Sequence, residues 1–411
     1  MILRHGRLPD GRTVDVTVDD GVISSVGQAG SAVADPTDTE HDLQGWLLLP
    51  SLAEPHAHLD KALTADLVPN PTGDLFGAID AWIAAAGAGR ITPEGIEERA
   101  AAAMELLLVH GVTAVRTHVN VTADIGITAL RAVQTAAARF DGLLDIQTVA
   151  LTSSPMAGPD GADNRAALAA ALEAGVDLVG GCPHLDPDGP GLIENAIKAA
   201  TEAGIGIDLH VDEMLDPSVL TLRDLARQVI DTGFDGLVAA SHCVTLGMQP
   251  PEIQSEVSAL VAEAGIAVFP LPQTNLFLQG REHPTATPRG LTAVAALTEA
   301  GALVAAGADN VQDPFNLVGR SDPLETASLM VMAGHQLPED AYDLVSNNVR
   351  RAIGLAPVTV EPGSPADLLA IDAPSVRGAI ADAPMSRRVF RRGRLVASAD
   401  QSSTVHRPMG G

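Results

Sequence analysis

The chain of 411 residues is long enough for two domains, although a single β/α barrel commonly exceeds about 250 residues. Hydrophobic residues make up 46% of the chain and charged residues 19%, which indicates a globular protein and excludes a disordered one. The net charge of −27 would repel phosphate backbones and anionic lipids, so nucleic acid and membranes are not expected partners.

The two cysteines indicate where the protein works. Cys182 and Cys243 lie in apolar runs and form no C-x-x-C pair, which excludes a disulfide scaffold or a zinc ribbon. The N-terminal sequence MILRHGRLPDGRTVDV lacks the apolar segment of a secretory signal, and no apolar run approaches the length of a membrane span. We therefore expect a cytoplasmic protein.

Both ends of the chain have short alternating segments with Gly and Asp-Gly turns, which are typical of β-strands. The first segment is MILRHGRLPDGRTVDVTVDDGVISSVGQ and the last is GSPADLLAIDAPSVRGAIADAPMSRRVFRRGRLVAS. We predict that residues 1–50 and 357–411 form one small β-sandwich domain. Residues 51–356 would then form a larger, separate domain.

From residue 46 onward, short apolar runs alternate with longer Ala/Leu/Glu-rich stretches, at intervals of roughly thirty residues. This alternation is typical of βα units and a parallel sheet. Eight runs can be counted, and eight parallel strands close a TIM barrel. The runs end at or near His58, His118, Leu151, His184, Glu213, His242, Asn275 and Asn310.

The stretches between the runs have helical spacing and helix caps. In TPEGIEERAAAAMELLLVHG, Thr92 is a candidate N-cap, Pro93 occupies the first helical position and Gly111 ends the helix. Three further stretches, NRAALAAALEAG, GLIENAIKAATEAG and PPEIQSEVSALVAEAG, also end in Gly just before the next strand. The sequence therefore predicts an α/β fold, a (β/α)8 TIM barrel with a small β-sandwich domain formed by both chain termini.

Histidines and acids collect at the predicted strand ends. His56 and His58 are two residues apart in the first strand, so both side chains project from the same face. The other members are His210 and Glu213 after the fifth strand, His242 after the sixth and Asp309 after the eighth. The carboxyl ends of barrel strands share one mouth, so we expect these groups to meet there.

Three imidazoles and a carboxylate form an N/O ligand set suited to zinc or ferrous iron, with a position left open for water. Taken singly, His242 also fits a buried core histidine, and Asp309 also fits a turn cap. Their shared position at strand ends is what favours a metal site.

These segments resemble the amidohydrolase superfamily, and most closely its cytosine deaminase-like branch. The shared segments are, in order, EPHAHLDKALTAD, VRTHVNV, LHVDEMLD, SHCVTLG, LPQTNLFLQGR and GADNVQDPF. Together with the split β domain they cover almost the whole chain. The resemblance implies a hydrolytic deaminase that acts on a small nitrogen heterocycle, and association of several copies of the chain.

The resemblance also implies a role for each site residue. One divalent metal ion, zinc or iron, would be held by His56, His58, His210 and Asp309. The ion would make hydroxide available near neutral pH, and Asp309 would take the proton of the attacking water. Glu213 would shuttle protons to the ring and the leaving amine, and His242 would polarise the attacking oxygen. Asp212 is expected to be a structural partner.

The fourth strand lacks the bridging residue that a second metal ion would need. Relatives with two metals bridge them with a carbamylated lysine or a glutamate at the fourth strand, where this chain has GGCPH. Lys198 lies in a predicted helix and Lys61 lies in the first loop. We therefore expect one metal ion.

The substrate is less defined. Ser153 stands where cytosine-specific relatives have glutamine, and Asn310 stands where they have a second aspartate. The segments HLDK (residues 58–61) and DN (residues 309–310) resemble those of amidohydrolases that act on N-substituted aminotriazines. Those relatives, however, lack the acid that ends HVDE, which is Glu213 in this chain. We expect removal of ammonia or an amine from a small nitrogen heterocycle, or the opening of a cyclic amide or ureide.

Several residues are candidates for contact with this substrate. Loop hydrogen bonds explain Lys61, Asn275, Gln279 and Arg281 equally well, whereas capping or packing is the more common role for His184, Phe315 and Leu75. The candidates are Lys61, Ser153, His184, Gln279, Asn310 and Phe315, with Leu75, Asn275 and Arg281 as further members. Two other functions stay open, a non-catalytic barrel that binds a small molecule and a metal-dependent phosphoesterase. Glu213 and His242 favour an enzyme, because binding alone needs neither, and the strand ends offer few cations for phosphate.

Overall fold

The structure is a computed structural model that describes residues 1–406. The predicted β domain extends to residue 411, and its last five positions, 407–411, lie outside the described residues. The strands are β1 Ile2–Arg7, β2 Thr13–Asp19, β3 Val22–Gln28, β4 Glu40–Asp42, β5 Leu47–Pro50, β6 Leu52–Ala57, β7 Val112–Val121, β8 Asp145–Thr152, β9 Leu178–Gly180, β10 Gly206–Val211, β11 Val238–His242, β12 Ala267–Phe269, β13 Leu368–Ile371, β14 Arg387–Arg391 and β15 Arg394–Ala399.

Helices alternate with the strands β6 to β12 and continue after them. They are α1 Leu75–Gly87, α2 Pro93–Val109, α3 Thr128–Ala137, α4 Ala162–Glu173, α5 Gly189–Ala203, α6 Thr221–Thr232, α7 Val244–Gly247, α8 Pro251–Glu263, α9 Pro272–Leu278, α10 Val294–Glu299, α11 Pro323–Met332, α12 Pro338–Leu344, α13 Asn347–Ala352 and α14 Val376–Asp382. Short 3-10 helices cover Ala138–Phe140, Pro159–Gly161 and Pro183–Leu185.

Strands β6 to β12 form the wall of a barrel. They are hydrogen bonded in chain order, and every neighbouring pair is parallel. All residues of β6 and β10 are buried, as expected for strands with helices on one face and a packed interior on the other. The predicted TIM barrel is confirmed.

The predicted eighth strand is irregular. Its backbone touches both neighbours through single bridges, which join Val268 to Val304 and Ala57 to Asp309. Between these bridges the buried carboxylate of Glu54 accepts the backbone N–H of Ala308 at 3.0 and 3.2 Å. The carboxylate of Glu54 therefore accepts the N–H of Ala308, which in a regular strand would donate to a neighbouring strand. The barrel closes here without a regular eighth strand.

The two chain ends share one eight-stranded sheet, in which β5 joins β1–β3 to β13–β15. Both halves contribute to one apolar core, which includes Leu3, Val16, Ile23, Leu48, Leu368 and Phe390. This small domain is bound to the barrel through the fully buried Arg387. Its guanidinium donates to both carboxylate oxygens of Asp322, at 3.0 and 2.7 Å, and to the carbonyl of His110 at 2.6 Å.

The predicted caps of α2 are confirmed. Thr92 Oγ1 accepts the N–H of Gly95 at 3.1 Å, Pro93 begins the helix, and Gly111 follows with a φ of +99°. Two predicted strands are shorter than their apolar runs, so His184 lies in a 3-10 helix and Asn275 lies in α9. No helix within residues 1–406 has the length and apolar composition needed to cross a membrane.

Candidate active site

Left-handed backbone conformations direct the chain at three strand ends of the barrel mouth. The φ angles are 52° at Asp212, 68° at His242 and 67° at Asp309. Residues other than glycine seldom adopt this conformation, and it is frequent at functional sites. The turn at Asp212 brings Glu213 to the cavity that His210 also lines, although the two lie three residues apart.

Asp212 is a structural partner, as predicted. Its carboxylate accepts the N–H and the hydroxyl of Thr221, at 2.8 and 2.6 Å, and the N–H of Leu222 at 3.0 Å. These bonds satisfy free donors at the start of α6. Burial nevertheless raises the pKa of Asp212 to about 6.

The four predicted ligands converge at the mouth. His58 Nε2 lies 3.1 Å from His210 Nε2 and 3.3 Å from Asp309 Oδ1. His56 Nε2 lies 3.7 Å from the same carboxylate oxygen. Burial lowers the pKa of all three imidazoles well below its usual value, so each ring is neutral and has a nitrogen lone pair to offer.

A divalent metal ion fits these donors. Ligands held about 2.1 Å from one ion lie roughly 3–3.5 Å from each other, close to the separations found here. His56 Nε2 and Asp309 Oδ1 are buried and have no hydrogen-bond partner among residues 1–406. Burial raises the pKa of Asp309 well above that of a free aspartate, and repulsion from the neighbouring acids Glu213, Asp313 and Glu54 adds to this rise. A bound ion would supply both the missing partner and the missing charge.

Glu213 and His242 lie beside this cluster. Glu213 Oε1 is 3.6 Å from His242 Nδ1, and burial raises the pKa of Glu213 to about 8. His242 Nδ1 donates to Asn275 Oδ1 at 3.0 Å, while burial lowers the pKa of His242 to about 3. His242 is therefore neutral, and its Nε2 carries a lone pair 3.9 Å from Asp309 Oδ2. A protonated acid and a neutral imidazole thus share one cavity.

A buried chain of hydrogen bonds orients His56. Its Nδ1 donates to Ser241 Oγ at 2.7 Å, and Ser241 Oγ donates to Asp208 Oδ1 at 3.2 Å. Arg116 donates to Asp208 Oδ2 at 2.8 Å, and all four side chains are essentially inaccessible. Partners of this kind fix the tautomer of a metal-binding histidine, here with Nε2 unprotonated.

Replacing Ser241 by alanine is expected to weaken metal affinity by about 10–100-fold. The substitution removes the acceptor that holds hydrogen on His56 Nδ1, so Nε2 is less often available as a ligand. Competition with a chelator of known affinity measures the change.

Ser51→Ala is the matched control for Ser241→Ala. Ser51 is also fully buried, and its Oγ forms a 2.6 Å bond with Thr113 Oγ1 that does not connect to the histidines. Equal losses of metal affinity in both variants would show that Ser241 acts through general packing and not through His56.

The cluster forms the floor of a cavity of ≈ 310 Å³. The rest of the cavity lining is largely apolar, and α1 contributes several of its side chains. The lining residues besides the cluster include Lys61, Leu75, Ile79, Trp82, Ile83, Asn120, Ser153, Ser154, Cys182, Asn310 and Phe315. A small flat ring with a polar edge fits a cavity of this size and composition.

Most predicted substrate contacts lie at the cavity. Lys61, Ser153, Asn310 and Phe315 line it, as does the further candidate Leu75. Asn310 Nδ2 donates to Asp313 Oδ2 at 2.7 Å, which leaves its Oδ1 as an acceptor.

The other candidates are not among the lining residues. His184 Nδ1 donates to the carbonyl of His210 at 3.1 Å, so His184 supports the segment that carries a predicted ligand. Asn275 orients His242, and Arg281 donates to the carbonyl of Phe277 at 2.7 Å. Gln279 directly follows α9 and is partly buried.

Several other residues at the site were not predicted from the sequence. Trp82 lies on α1, a helix that the alternation of strands and helices in the sequence did not predict. Asn120 lies near the end of β7. His118 has its ring 4.0 Å from that of His56, and its Nε2 lies 3.5 Å from Asp208 Oδ1. His118 and Asn120 are two residues apart, as His56 and His58 are in the first barrel strand. This spacing is the one sequence feature that indicated a shared face for the pair.

A parallel barrel with a buried acid beside donors that could hold a metal ion at its mouth defines the class of barrel hydrolases. Comparison with known proteins identifies the group within this class. The chain belongs to the amidohydrolase family, whose model matches residues 71–397. It is therefore an enzyme that hydrolyses carbon–nitrogen bonds.

Three relatives are similar over nearly the whole chain. A pterin deaminase of Rhizobium rhizogenes is 30% identical over 390 residues, which cover 93% of this chain and 87% of the relative. The crystal structure of a 5-methylcytosine deaminase from Klebsiella pneumoniae matches with a TM-score of 0.86 and 30% identity, over 99% of both chains. An N-isopropylammelide isopropyl amidohydrolase of Pseudomonas sp. is 26% identical over 96% of each chain. The expected superfamily, with its deaminase and aminotriazine relatives, is confirmed.

Proposed function

We propose that this enzyme removes an exocyclic amino group from a small nitrogen heterocycle, with water as co-substrate. The C–NH2 bond breaks, a C–O bond forms, and the products are ammonia and a heterocycle with one more ring carbonyl. The observation that carries the proposal is Glu213, a buried acid that lines the cavity together with three of the four ligands.

The chain's residues divide this reaction between them. One divalent ion, zinc or iron, held by His56, His58, His210 and Asp309, would lower the pKa of a water molecule so that hydroxide is available near neutral pH. His242 Nε2 accepts a hydrogen bond from the attacking water and orients it. Asp309 accepts a proton of the water as the oxygen attacks.

Glu213 supplies the other proton transfers. Because burial keeps it protonated at neutral pH, it can donate to the ring nitrogen next to the carbon under attack. The deprotonated Glu213 then takes the proton of the newly formed C–OH group and passes it to the leaving amine, and the proton held by Asp309 returns Glu213 to its protonated form. Proton transfer to the ring and to the leaving group is what ammonia loss requires.

Two of the relatives support this reaction, since they are named as deaminases of pterin and of 5-methylcytosine. A third is named for isopropylamine removal from N-isopropylammelide, which makes hydrolysis of an N-alkyl substituent the second candidate. The apolar walls from α1, Ile79, Trp82 and Ile83, favour it, because they provide room for an alkyl group. Glu213 favours the deaminase, because the aminotriazine relatives lack an acid at this position.

Product analysis tests the proposal and separates it from the second candidate. Metal-replete enzyme is incubated with 5-methylcytosine, cytosine, pterin, N-isopropylammelide and cyclic ureides, and ammonia and isopropylamine are quantified. We expect ammonia from at least one of the first three. Isopropylamine alone would support the second candidate, and no product from any compound would contradict both.

A further inference from the structure

The irregular segment that carries Asp309 is held from several sides. In place of one strand ladder, the backbone N–H groups of residues 306–310 each donate to a different group. The acceptors are, in chain order, the carbonyl of Leu344 at 2.7 Å, the carbonyl of Pro270 at 3.2 Å, the carboxylate of Glu54 at 3.0 Å, the carbonyl of His56 at 3.1 Å and Thr274 Oγ1 at 3.5 Å. Glu54 is the one carboxylate among these acceptors, and it lies in β6, the strand that also carries His56.

Glu54 connects this segment to the first proposed ligand. It is 2% exposed, and its Oε1 accepts the N–H of His56 at 3.1 Å and that of Ala308 at 3.2 Å. The carbonyl of His56 accepts the N–H of Asp309 at 3.1 Å. Both backbone groups of His56 are therefore tied to the segment of Asp309, one of them through the carboxylate of Glu54.

The backbone passes close to this carboxylate at Gly307. A Cβ atom at position 307 would lie 2.4 Å from Glu54 Oε1 and 3.0 Å from Leu271 Cδ2, which is closer than real Cβ contacts allow for the first. Glycine is the residue that permits such an approach of the backbone to another group. The space left by Gly307 therefore determines where the carboxylate of Glu54 can lie.

The chemistry of a carboxylate suits this position. Two N–H groups from different segments converge on Glu54, and a carboxylate offers only acceptor oxygens to them. A glutamine of the same shape would turn an NH2 group toward one of these N–H groups, and a buried donor without an acceptor is costly. The segment that loses its acceptor would move away from the other.

Such a movement matters for a metal site, because distances from ligands to the ion vary by only about 0.2 Å. His56 Nε2 and Asp309 Oδ1 lie 3.7 Å apart, and both belong to the proposed ligand set. Glu54 itself is not among the residues that line the cavity. It can therefore affect the ion through the backbone of these two ligands.

We propose that Glu54 is a positioning residue of the metal site, and that its carboxylate holds His56 and the segment of Asp309 at the separation that one ion requires. This inference rests on the proposed metal-dependent function and adds to it a residue that touches neither the ion nor the substrate. Ser241 acts on the ring of His56, whereas Glu54 acts on the backbone of two ligands at once.

Glu54→Gln tests the proposal without the use of substrate. The metal-free protein is titrated with zinc against a chelator of known affinity, and we expect its affinity to be about 10–100-fold weaker than that of the wild type. The visible absorption spectrum of the cobalt-loaded protein reports the ligand geometry, and its bands are expected to shift. Circular dichroism and thermal unfolding of the metal-free protein show whether the fold persists.

Gly307→Ala disturbs the same carboxylate without removing it. The added methyl group would push Glu54 away from the position at which its Oε1 binds both N–H groups. We expect a weaker zinc affinity and a shifted cobalt spectrum here as well. If Glu54→Gln does not fold, Gly307→Ala decides the question by the same two measurements.

Asp15→Asn is the matched control, since Asp15 is 1% exposed and lies in the small β domain. Its Oδ1 accepts the N–H of His5 at 3.1 Å, and its Oδ2 accepts the N–H of Gly30 at 2.9 Å. This variant exchanges the same groups at a carboxylate that also joins two backbone segments. We expect it to unfold at a lower temperature but to keep the wild-type zinc affinity and cobalt spectrum.

A folded Glu54→Gln protein with wild-type zinc affinity and cobalt spectrum would overturn the inference, because Glu54 would then only stabilise the barrel. An equal loss of zinc affinity in Asp15→Asn would also overturn it, since the effect would follow from general stability. A wild-type protein that binds no divalent ion contradicts the metal site itself, and with it the proposed function.

Discussion

Replacement of Glu213 by glutamine is expected to lower kcat by about 10²–10⁴-fold, the usual contribution of a general acid–base group. Glutamine has the same shape but cannot transfer a proton to the ring nitrogen or to the leaving amine. Glu213 is outside the proposed ligand set, so the metal content should stay at the wild-type value. Ammonia release under saturating substrate measures the effect.

Glu213→Asp is the companion variant. It keeps a carboxyl group but withdraws it by one methylene, so we expect activity between that of the wild type and that of the glutamine variant. If Glu213→Gln retains more than a tenth of wild-type kcat with metal bound, another group transfers the proton and the assignment of Glu213 is wrong.

The pH profile of kcat/KM should report the ionisation of Glu213. Burial raises the pKa of Glu213 to about 8, so the side chain is protonated below pH 8 and loses its proton above it. The protonated form is the one that donates to the ring. The wild-type kcat/KM is therefore expected to fall as the pH rises through about 8.

Replacement of Asp309 by asparagine is expected to lower kcat/KM by more than about 10³-fold and to weaken metal binding. The carboxylate is the one anionic group of the proposed ligand set, and the contribution of the metal ion is several kcal/mol of barrier. Asparagine also tolerates the left-handed backbone at this position, so the fold should persist. Metal analysis and steady-state kinetics measure the two effects.

Asp212→Asn is the matched control, because Asp212 is also a buried aspartate with a left-handed backbone at a strand end. It caps α6 and lies outside the ligand set, so a stability loss of about 1 kcal/mol with full metal content is expected. Full metal affinity in Asp309→Asn would show that this carboxylate is not a ligand.

The barrel and the convergence of the proposed ligands followed from sequence because alternation and strand ends are local properties. His56 and His58 had to share a face, and the βα period indicated the parallel barrel. The eighth strand did not follow the pattern, because Glu54 satisfies the backbone of Ala308 in place of a ladder. That bond joins residues far apart in the chain, and no local pattern encodes it.

The supporting residues were harder to find for the same reason. Ser241, Asp208 and Arg116 lie inside apolar runs, where a polar residue has no periodic signal to distinguish a hydrogen-bond relay from a core position. The turn that delivers Glu213 depends on the φ angle of Asp212, which is set by tertiary bonds to α6. Gln279 and His184 were placed at the cavity from strand ends that the structure replaces with short helices.

The central claim is that one divalent ion binds at the mouth of the barrel. Anomalous diffraction from crystals of metal-replete protein, together with metal analysis of the same sample, tests it directly. We expect one ion per chain, about 2.0–2.2 Å from His56, His58, His210 and Asp309. Two ions per chain, an ion bound elsewhere, or a replete protein in which these four side chains surround no density would contradict it.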